Sequence, residues 1–241
     1  MISGSRVVVV VPAYREAERL PSVLASMPPE VDRVIVVDDA SHDGTFDVAR
    51  RAADPRVIAL AHDRNRGVGA AIATGYARAL EEPAAHESAR DAFVVMAGDG
   101  QMDPRDLPAL VAPIARGEAD YVKGNRFAKD ALHAMPRARF VGGKILSALT
   151  RAALAIEIDD SQCGYTAIAR DACARLDLAS LWPRFGYPND LLAMLARDGA
   201  RIAEVPVRAS YPHARNKLGA RHVPMIAAVI ARAYLRRVGR G

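Results

Sequence analysis

Short apolar runs alternate through the first half of this chain with segments whose apolar positions recur at helical spacing. The runs fall at residues 6–11 (RVVVVV), 33–38 (RVIVVD), 56–60 (RVIAL), 92–97 (AFVVMA) and 119–124 (ADYVKG). Between them, residues 16–26, 45–53, 67–80 and 104–115 read as helices. Runs that are apolar at nearly every position suit strands buried on both faces, and their alternation with helices predicts an α/β fold with a mostly parallel central sheet covered on both faces. The remaining third reads as a helix near 140–156, a polar DDSQCGYTAIAR at 159–170, a helix ending at Arg197, a strand-like RIAEVPV at 201–207 and a basic tail. It is expected to complete the same sheet and to wall the acceptor side of a site.

In sheets of this kind ligands bind outside the carboxyl ends of the strands. The residues there are polar: PAYREAE after the first run, DDASHDGT after the second, HDRNRGVGAA after the third, GDGQMDP after the fourth and GNRF after the fifth. Asp99 and Gln101 alternate around Gly100 on a turn that exposes both side chains. One anionic and one neutral oxygen ligand suit a partly hydrated Mg²⁺ or Mn²⁺ that also binds diphosphate. Asp103 before Pro104 reads as a helix cap. Asp38 and Asp39 can accept hydrogen bonds from a nucleobase or ribose, whereas Asp43, Gly44 and Thr45 read as turn and cap. Arg66 at a glycine-opened helix start suits a phosphate or a base edge. Gly67 and Gly69 lack the third glycine of a dinucleotide fingerprint.

Taken in order, VVVVVPAYREAERLPSVL, VIVVDDASHDGT, RNRGVGAAIATGYARA, GDGQMDP, GNRF, DDSQCGYTAIAR and RIAEVPVR resemble family 2 glycosyltransferases of the GT-A fold, the dolichyl-phosphate mannose synthase-like branch above all. That branch moves a sugar from a nucleotide donor to a polyprenyl phosphate. The resemblance implies that Pro12, Ala13, Tyr14 and Glu16 line the nucleotide pocket with Asp38 and Asp39. It places Asp99 and Gln101 at the metal-binding end of a DxD and DxDxQ pattern, and Arg126 near the transferred group. Gln162 falls in the acceptor-side motif, and Asp190 stands where many members carry an acidic base, although Asn189 and Asp190 also read as the cap and first turn of a helix. The chain departs from the pattern at Ala97, which replaces the first DxD aspartate. The implied reaction is inverting and metal-dependent, from GDP-mannose or a UDP-sugar. A hydroxyl acceptor and a non-catalytic nucleotide-sugar binding module are the alternatives.

Charge and length refine this picture. A chain of 241 residues, with 51% hydrophobic residues and no linker or repeat, reads as one domain over 1–222, with a donor half to about 127 and an acceptor half from about 128. The two cysteines, Cys163 and Cys173, follow no metal-like pattern. Residues 205–241 contain no Asp or Glu but eight Lys or Arg, more than the net charge of +5, so the rest of the chain is net acidic. Arg215, Lys217 and Arg221 are expected to bind an acceptor phosphate. Residues 223–241 read as a basic amphipathic helix with Ile226, Val229, Ile230 and Ala233 on one side. Such a helix fits a peripheral membrane surface or a packed terminus, and it is too short in apolar length to span a bilayer. The N-terminal run is short for a signal peptide, which predicts a cytoplasmic protein peripheral at the inner membrane face. Nucleic acid is not expected, because it leaves the strand-end carboxylates unexplained. Homo-oligomerisation is left open.

Overall fold

The computed structural model describes residues 1–84, 90–128, 135, 137–208 and 223–238. Seven strands form one sheet: β1 (Val7–Ala13), β2 (Arg33–Asp38), β3 (Val57–Ala61), β4 (Ala92–Val95), β5 (Tyr121–Asn125), β6 (Thr166–Ala169) and β7 (Ile202–Pro206), in the order β3-β2-β1-β4-β6-β5-β7. The five consecutive valines of β1 are all buried, as are the apolar residues of β2 and β4. Their β-branched side chains pack well on a pleated surface that is covered on both sides.

Helices α1 (Leu20–Ala25), α2 (Thr45–Arg50), α3 (Val68–Glu81), α4 (Leu107–Ala115), α5 (Arg137–Leu154), α6 (Arg170–Ala174), α7 (Tyr187–Arg197) and α8 (Val223–Val238) surround the sheet. α3 packs closely on β1, because a Cβ at Gly75 would lie 2.2 Å from a Val10 methyl. α8 packs through Ile226, Val229, Ile230 and Ala233, all buried. The apolar side that the pattern offered to a membrane is therefore turned into the protein.

One strand was hidden within a motif. The TAIA of the segment read only as polar and acceptor-side is β6, which runs antiparallel between β4 and β5 while the other neighbouring pairs are parallel. Thr166 pairs with both Val95 and Lys123. The start of β6 thus lies at the edge where β4 and β5 end.

Two backbone features bear on this edge. Ala40 and Arg15 adopt left-handed conformations, with φ of 59° and 57°. Gly67 and Gly69 open α3 where the segment before α7 crosses it: added Cβ atoms would fall 2.4 Å from the Pro183 carbonyl oxygen and 2.1 Å from that of Trp182. These glycines serve close backbone packing. Gly69→Ala is expected to destabilise the fold by about 3 kcal/mol through overpacking against main chain, whereas Ala40→Gly, which relieves a left-handed alanine, should stabilise by about 0.5–1 kcal/mol. Urea denaturation of both variants checks the opposite signs.

Candidate active site

The carboxyl edge of the sheet collects most of the residues singled out by sequence. Pro12 and Ala13 end β1 and are buried, while Tyr14 beyond them is exposed with the Arg15 guanidinium 5.2 Å from its ring centre. Asp38 ends β2, and Ser41 donates to its carboxylate from both its backbone N–H and its hydroxyl. The Ser41 oxygen in turn accepts from the Arg15 N–H at 2.9 Å, which ties the two left-handed residues into one corner. Glu16 is buried and its Oε2 lies 3.0 Å from Arg19. Hydrogen bonding to Glu16 and its charge, with a smaller contribution from Asp99, hold the Arg19 guanidinium above its ordinary value.

Asp39 has a different task. Its carboxylate, 3% exposed as a residue, accepts from the N–H groups of Arg66 at 2.8 Å and Gly67 at 2.7 Å and contacts His62 Nδ1 at 2.7 Å. The other His62 nitrogen lies 3.0 Å from the Thr74 hydroxyl. Asp39 therefore pins the start of α3 to the end of β2, and the exposed Arg66 side chain stands at that start. His62 opens the strand-end motif HDRNRGVGAA, and a lone histidine there gives no signal of its buried partners.

Asp99 and Gln101 follow β4 on a turn where Gly100 has φ of 72°. The Gln101 backbone N–H donates to Asp99 Oδ1 at 3.1 Å and its amide nitrogen to Oδ2 at 3.0 Å. Both side chains keep partial exposure. The amide thus turns its nitrogen to the carboxylate here; turned over, it would set an oxygen beside Asp99, a pair that fits a hard divalent cation completed by diphosphate and water oxygens, which is how Mg²⁺ sites are commonly built. Among the described residues no three His, Cys, Asp or Glu side chains cluster as a metal site, so those outside oxygens would supply the remaining ligands. At Ala97 the N–H instead donates to the Met102 sulfur at 3.3 Å. Asp103 caps the following turn by accepting from the Arg105 N–H at 2.9 Å, as its place before proline predicts. Just beyond it, Asp106 receives the Arg208 N–H at 2.6 Å and its guanidinium at 2.6 and 2.9 Å. That contact, missed by sequence, seats the chain leaving β7 against the Asp103–Asp106 turn.

Arg126 is bound to Asp160, whose place in DDSQCGYTAIAR gives no sign of this partner. The arginine N–H donates at 3.1 Å, Nε at 2.7 Å and Nη2 at 2.8 Å, and Asp160 has no exposed surface. Burial alone would raise the Asp160 carboxyl, but the hydrogen bonds and charge of Arg126, aided by Lys123, hold it below its ordinary value. Lys123 is fully buried, donates to the Cys163 carbonyl and is lowered by burial to about 8. Glu204 on β7 receives the N–H groups of Asp159 at 2.7 Å and Asp160 at 2.8 Å. Gln162 donates to the Ser161 hydroxyl at 2.7 Å and to Asn189 Oδ1 at 3.1 Å, joining the loop before β6 to α7.

Asp190 lies in α7, but the cap is Gly186, not Asn189, and the Asp190 carboxylate turns inward. It is fully buried, accepts from the Trp182 N–H at 2.8 Å and lies 3.3 Å from the guanidinium nitrogens of both Arg232 and Arg236 on α8. Arg215, Lys217 and Arg221 lie outside the described residues.

Residues 8–176 match the family described as Glycosyl transferase family 2. The chain belongs to that family. It is 34% identical over 221 residues to the undecaprenyl-phosphate mannosyltransferase of Micrococcus luteus, covering 84% of this chain and 82% of that protein. It is 28% identical to a UDP-N-acetylglucosamine–dolichyl-phosphate N-acetylglucosaminyltransferase of Methanococcus voltae, over 84% of each chain. The polyprenol monophosphomannose synthase of Mycolicibacterium smegmatis is 29% identical over 84% of this chain and 76% of its own. Among solved structures, glucosyl-3-phosphoglycerate synthase from Mycobacterium tuberculosis, in complex with Mn²⁺, uridine diphosphate and phosphoglyceric acid, superposes with a TM-score of 0.69 at 22% identity, covering 98% of this chain and 80% of the other. The fold is GT-A, and the protein is a glycosyltransferase of the dolichyl-phosphate mannose synthase-like branch.

The position of Asp190 generates a structural expectation. Asp190→Asn leaves two arginines facing a neutral amide and should destabilise the protein by about 2–4 kcal/mol, less than a fully enclosed pair because Arg232 is 43% exposed. Chemical denaturation measures the loss. Limited proteolysis should show α8 released before the rest of the chain unfolds.

Proposed function

We propose that this chain is an inverting, metal-dependent transferase that moves a sugar from GDP-mannose or a UDP-sugar to a polyprenyl phosphate at the inner face of a membrane. Three relatives named for lipid-phosphate acceptors support the acceptor class. The observation that carries it is the condition of Asp190. A hydroxyl acceptor needs a general base, and the acidic residue available for that role has both oxygens occupied inside the protein. A phosphate oxygen arrives already ionised and needs none.

In this reading the nucleotide lies along the ends of β1 and β2, against Tyr14 and the corner built by Pro12, Ala13, Glu16, Asp38 and Asp39, with Arg66 reaching for the diphosphate or the base. Asp99 and Gln101 orient the donor diphosphate and would hold Mg²⁺ or Mn²⁺, which supplies neutralising charge for the departing group when bound. The acceptor oxygen forms its bond to the anomeric carbon from the face opposite the donor. The bond from that carbon to the diphosphate oxygen breaks, and the nucleoside diphosphate departs with the electron pair. Arg126, held rigid by Asp160, and Gln162 wall the acceptor side. Arg215, Lys217 and Arg221 come shortly after Arg208 in sequence, and in this reading they offset repulsion between the acceptor phosphate and the donor diphosphate.

A donor screen with Mg²⁺ or Mn²⁺ and bilayers containing polyprenyl phosphate, reading nucleotide release and labelled lipid together, tests the assignment. Transfer only to hydroxyl acceptors, or nucleotide binding without turnover, would overturn it. Within that assay Asp99→Asn should lower transfer by roughly 10²-fold or more while shifting stability by less than about 0.5 kcal/mol; chelator-sensitive turnover retained by the variant would remove the metal role. Arg215→Ala combined with Arg221→Ala should raise the lipid-acceptor KM roughly tenfold and leave slow donor hydrolysis unchanged. Indifference of KM to the arginines would instead favour a hydroxyl acceptor.

A further inference from the structure

Tyr187 opens α7 and carries a hydroxyl that the fold does not use. The residue is 7% exposed, and among the described residues its phenol has no hydrogen-bond partner, although its oxygen is not sealed from solvent. A phenylalanine ring would fill the same volume, so packing alone does not call for the oxygen. Polar groups in such enclosed places are ordinarily satisfied, and one left open toward solvent is completed by a partner from outside the chain.

Two glycines from distant segments make room for this ring. A Cβ at Gly69, in the first turn of α3, would lie 2.9 Å from the Tyr187 Cβ. One at Gly164, two residues before β6, would lie 3.2 Å from the phenol oxygen and 3.4 Å from the Met102 methyl. Met102 is itself held, because its sulfur accepts the Ala97 N–H at 3.3 Å. The phenol oxygen thus stands where the segment just after the Asp99 and Gln101 pair meets the loop that carries Asp160. Its direction is set by the fold: Gly186 before it has φ of 100°, and Asp190 in the same turn is gripped by the Trp182 N–H and by Arg232 and Arg236. Burial holds the phenol above its ordinary range against a smaller downward pull from the Arg126 charge, so the group stays protonated.

A neutral phenol donates one hydrogen bond and accepts others, which suits an alcohol, and it has no charge to offer a phosphate. In the proposed function Asp99 and Gln101 orient the donor diphosphate while Arg126 and Gln162 wall the acceptor side, so the transferred sugar lies between them, where the Tyr187 oxygen stands. We propose that the Tyr187 hydroxyl bonds a hydroxyl of the transferred sugar and thereby helps select which sugar is carried. The proposal rests on the donor reading for a sugar at this place. A site built to bond a substrate hydroxyl rejects the analogue that lacks it, because its own polar group is then left unpaired.

The test is equilibrium binding, with Mg²⁺, of GDP-mannose, UDP-glucose and UDP-N-acetylglucosamine to the full chain and to Tyr187→Phe, followed by the single-deoxy analogues of whichever binds. Wild type should bind one deoxy analogue roughly tenfold more weakly than the parent sugar nucleotide. Tyr187→Phe should bind the parent roughly tenfold more weakly than wild type does and lose discrimination at that one position, keeping it at the others. GDP or UDP without sugar should bind both proteins equally, and their denaturation midpoints should coincide. Equal discrimination by the two proteins, an equal loss for the sugar-free nucleotide, or a change confined to the KM of a polyprenyl phosphate acceptor overturns the proposal and leaves the donor assignment standing. A wild type that binds none of the sugar nucleotides overturns both.

Discussion

The antiparallel course of β6 between β4 and β5 is the constraint on which the site depends. A strand running with its neighbours would begin at the amino edge of the sheet and deliver the preceding loop to the wrong side. Because β6 runs the other way, the Asp159–Gln162 segment arrives where β4 and β5 end, although it lies tens of residues from both in sequence. The Arg126 to Asp160 pair, the Lys123 bond to the Cys163 carbonyl and the Gln162 contact with Asn189 all follow from that placement. The carboxylates that follow β2 and β4 and the polar groups of the Asp159–Gln162 segment then share one edge of the sheet.

Buried carboxylates fasten the elements around it. Asp39, Asp160 and Asp190 each have almost no exposed surface, and each is met by backbone N–H groups or guanidiniums from elsewhere in the chain. Removing such a charge from water is costly, and these partners offset the cost only when the geometry is close. The pins are consequently specific: Asp39 fixes where α3 begins, Asp160 fixes Arg126, and Asp190 joins α7, the Trp182 segment and α8. Asp190 and Asp39 are linked through packed main chain, since the Pro183 carbonyl accepts from the Ala70 N–H at 3.1 Å where the two glycines open α3. The start of α3 thus packs on the segment that α8 holds.

Strand and helix positions were readable because they rest on local rules. Valine-rich runs, turn glycines and the Asp-Pro cap act within a few residues, and the observed strands shift from the expected bounds by only a residue or two. β6 escaped because four small and β-branched residues beside a polar motif carry no clear period. Candidate site residues were readable as chemistry at strand ends. Their tasks were not: Asp38, Asp39 and Asp99 look alike in sequence, yet they are engaged respectively by Ser41, by the start of α3 and by Gln101.

By itself the sequence determined the α/β class, the polar edge of the sheet and the family, since each is written in local patterning and in the order of motifs. Tertiary structure decided the direction of β6, the partner of every buried carboxylate and which face of α8 meets the protein. The reason is separation along the chain. Asp190 and Arg232 are 42 positions apart and Arg126 and Asp160 are 34 apart, so whether a carboxylate serves a ligand or a distant arginine is settled only when packing brings the two together.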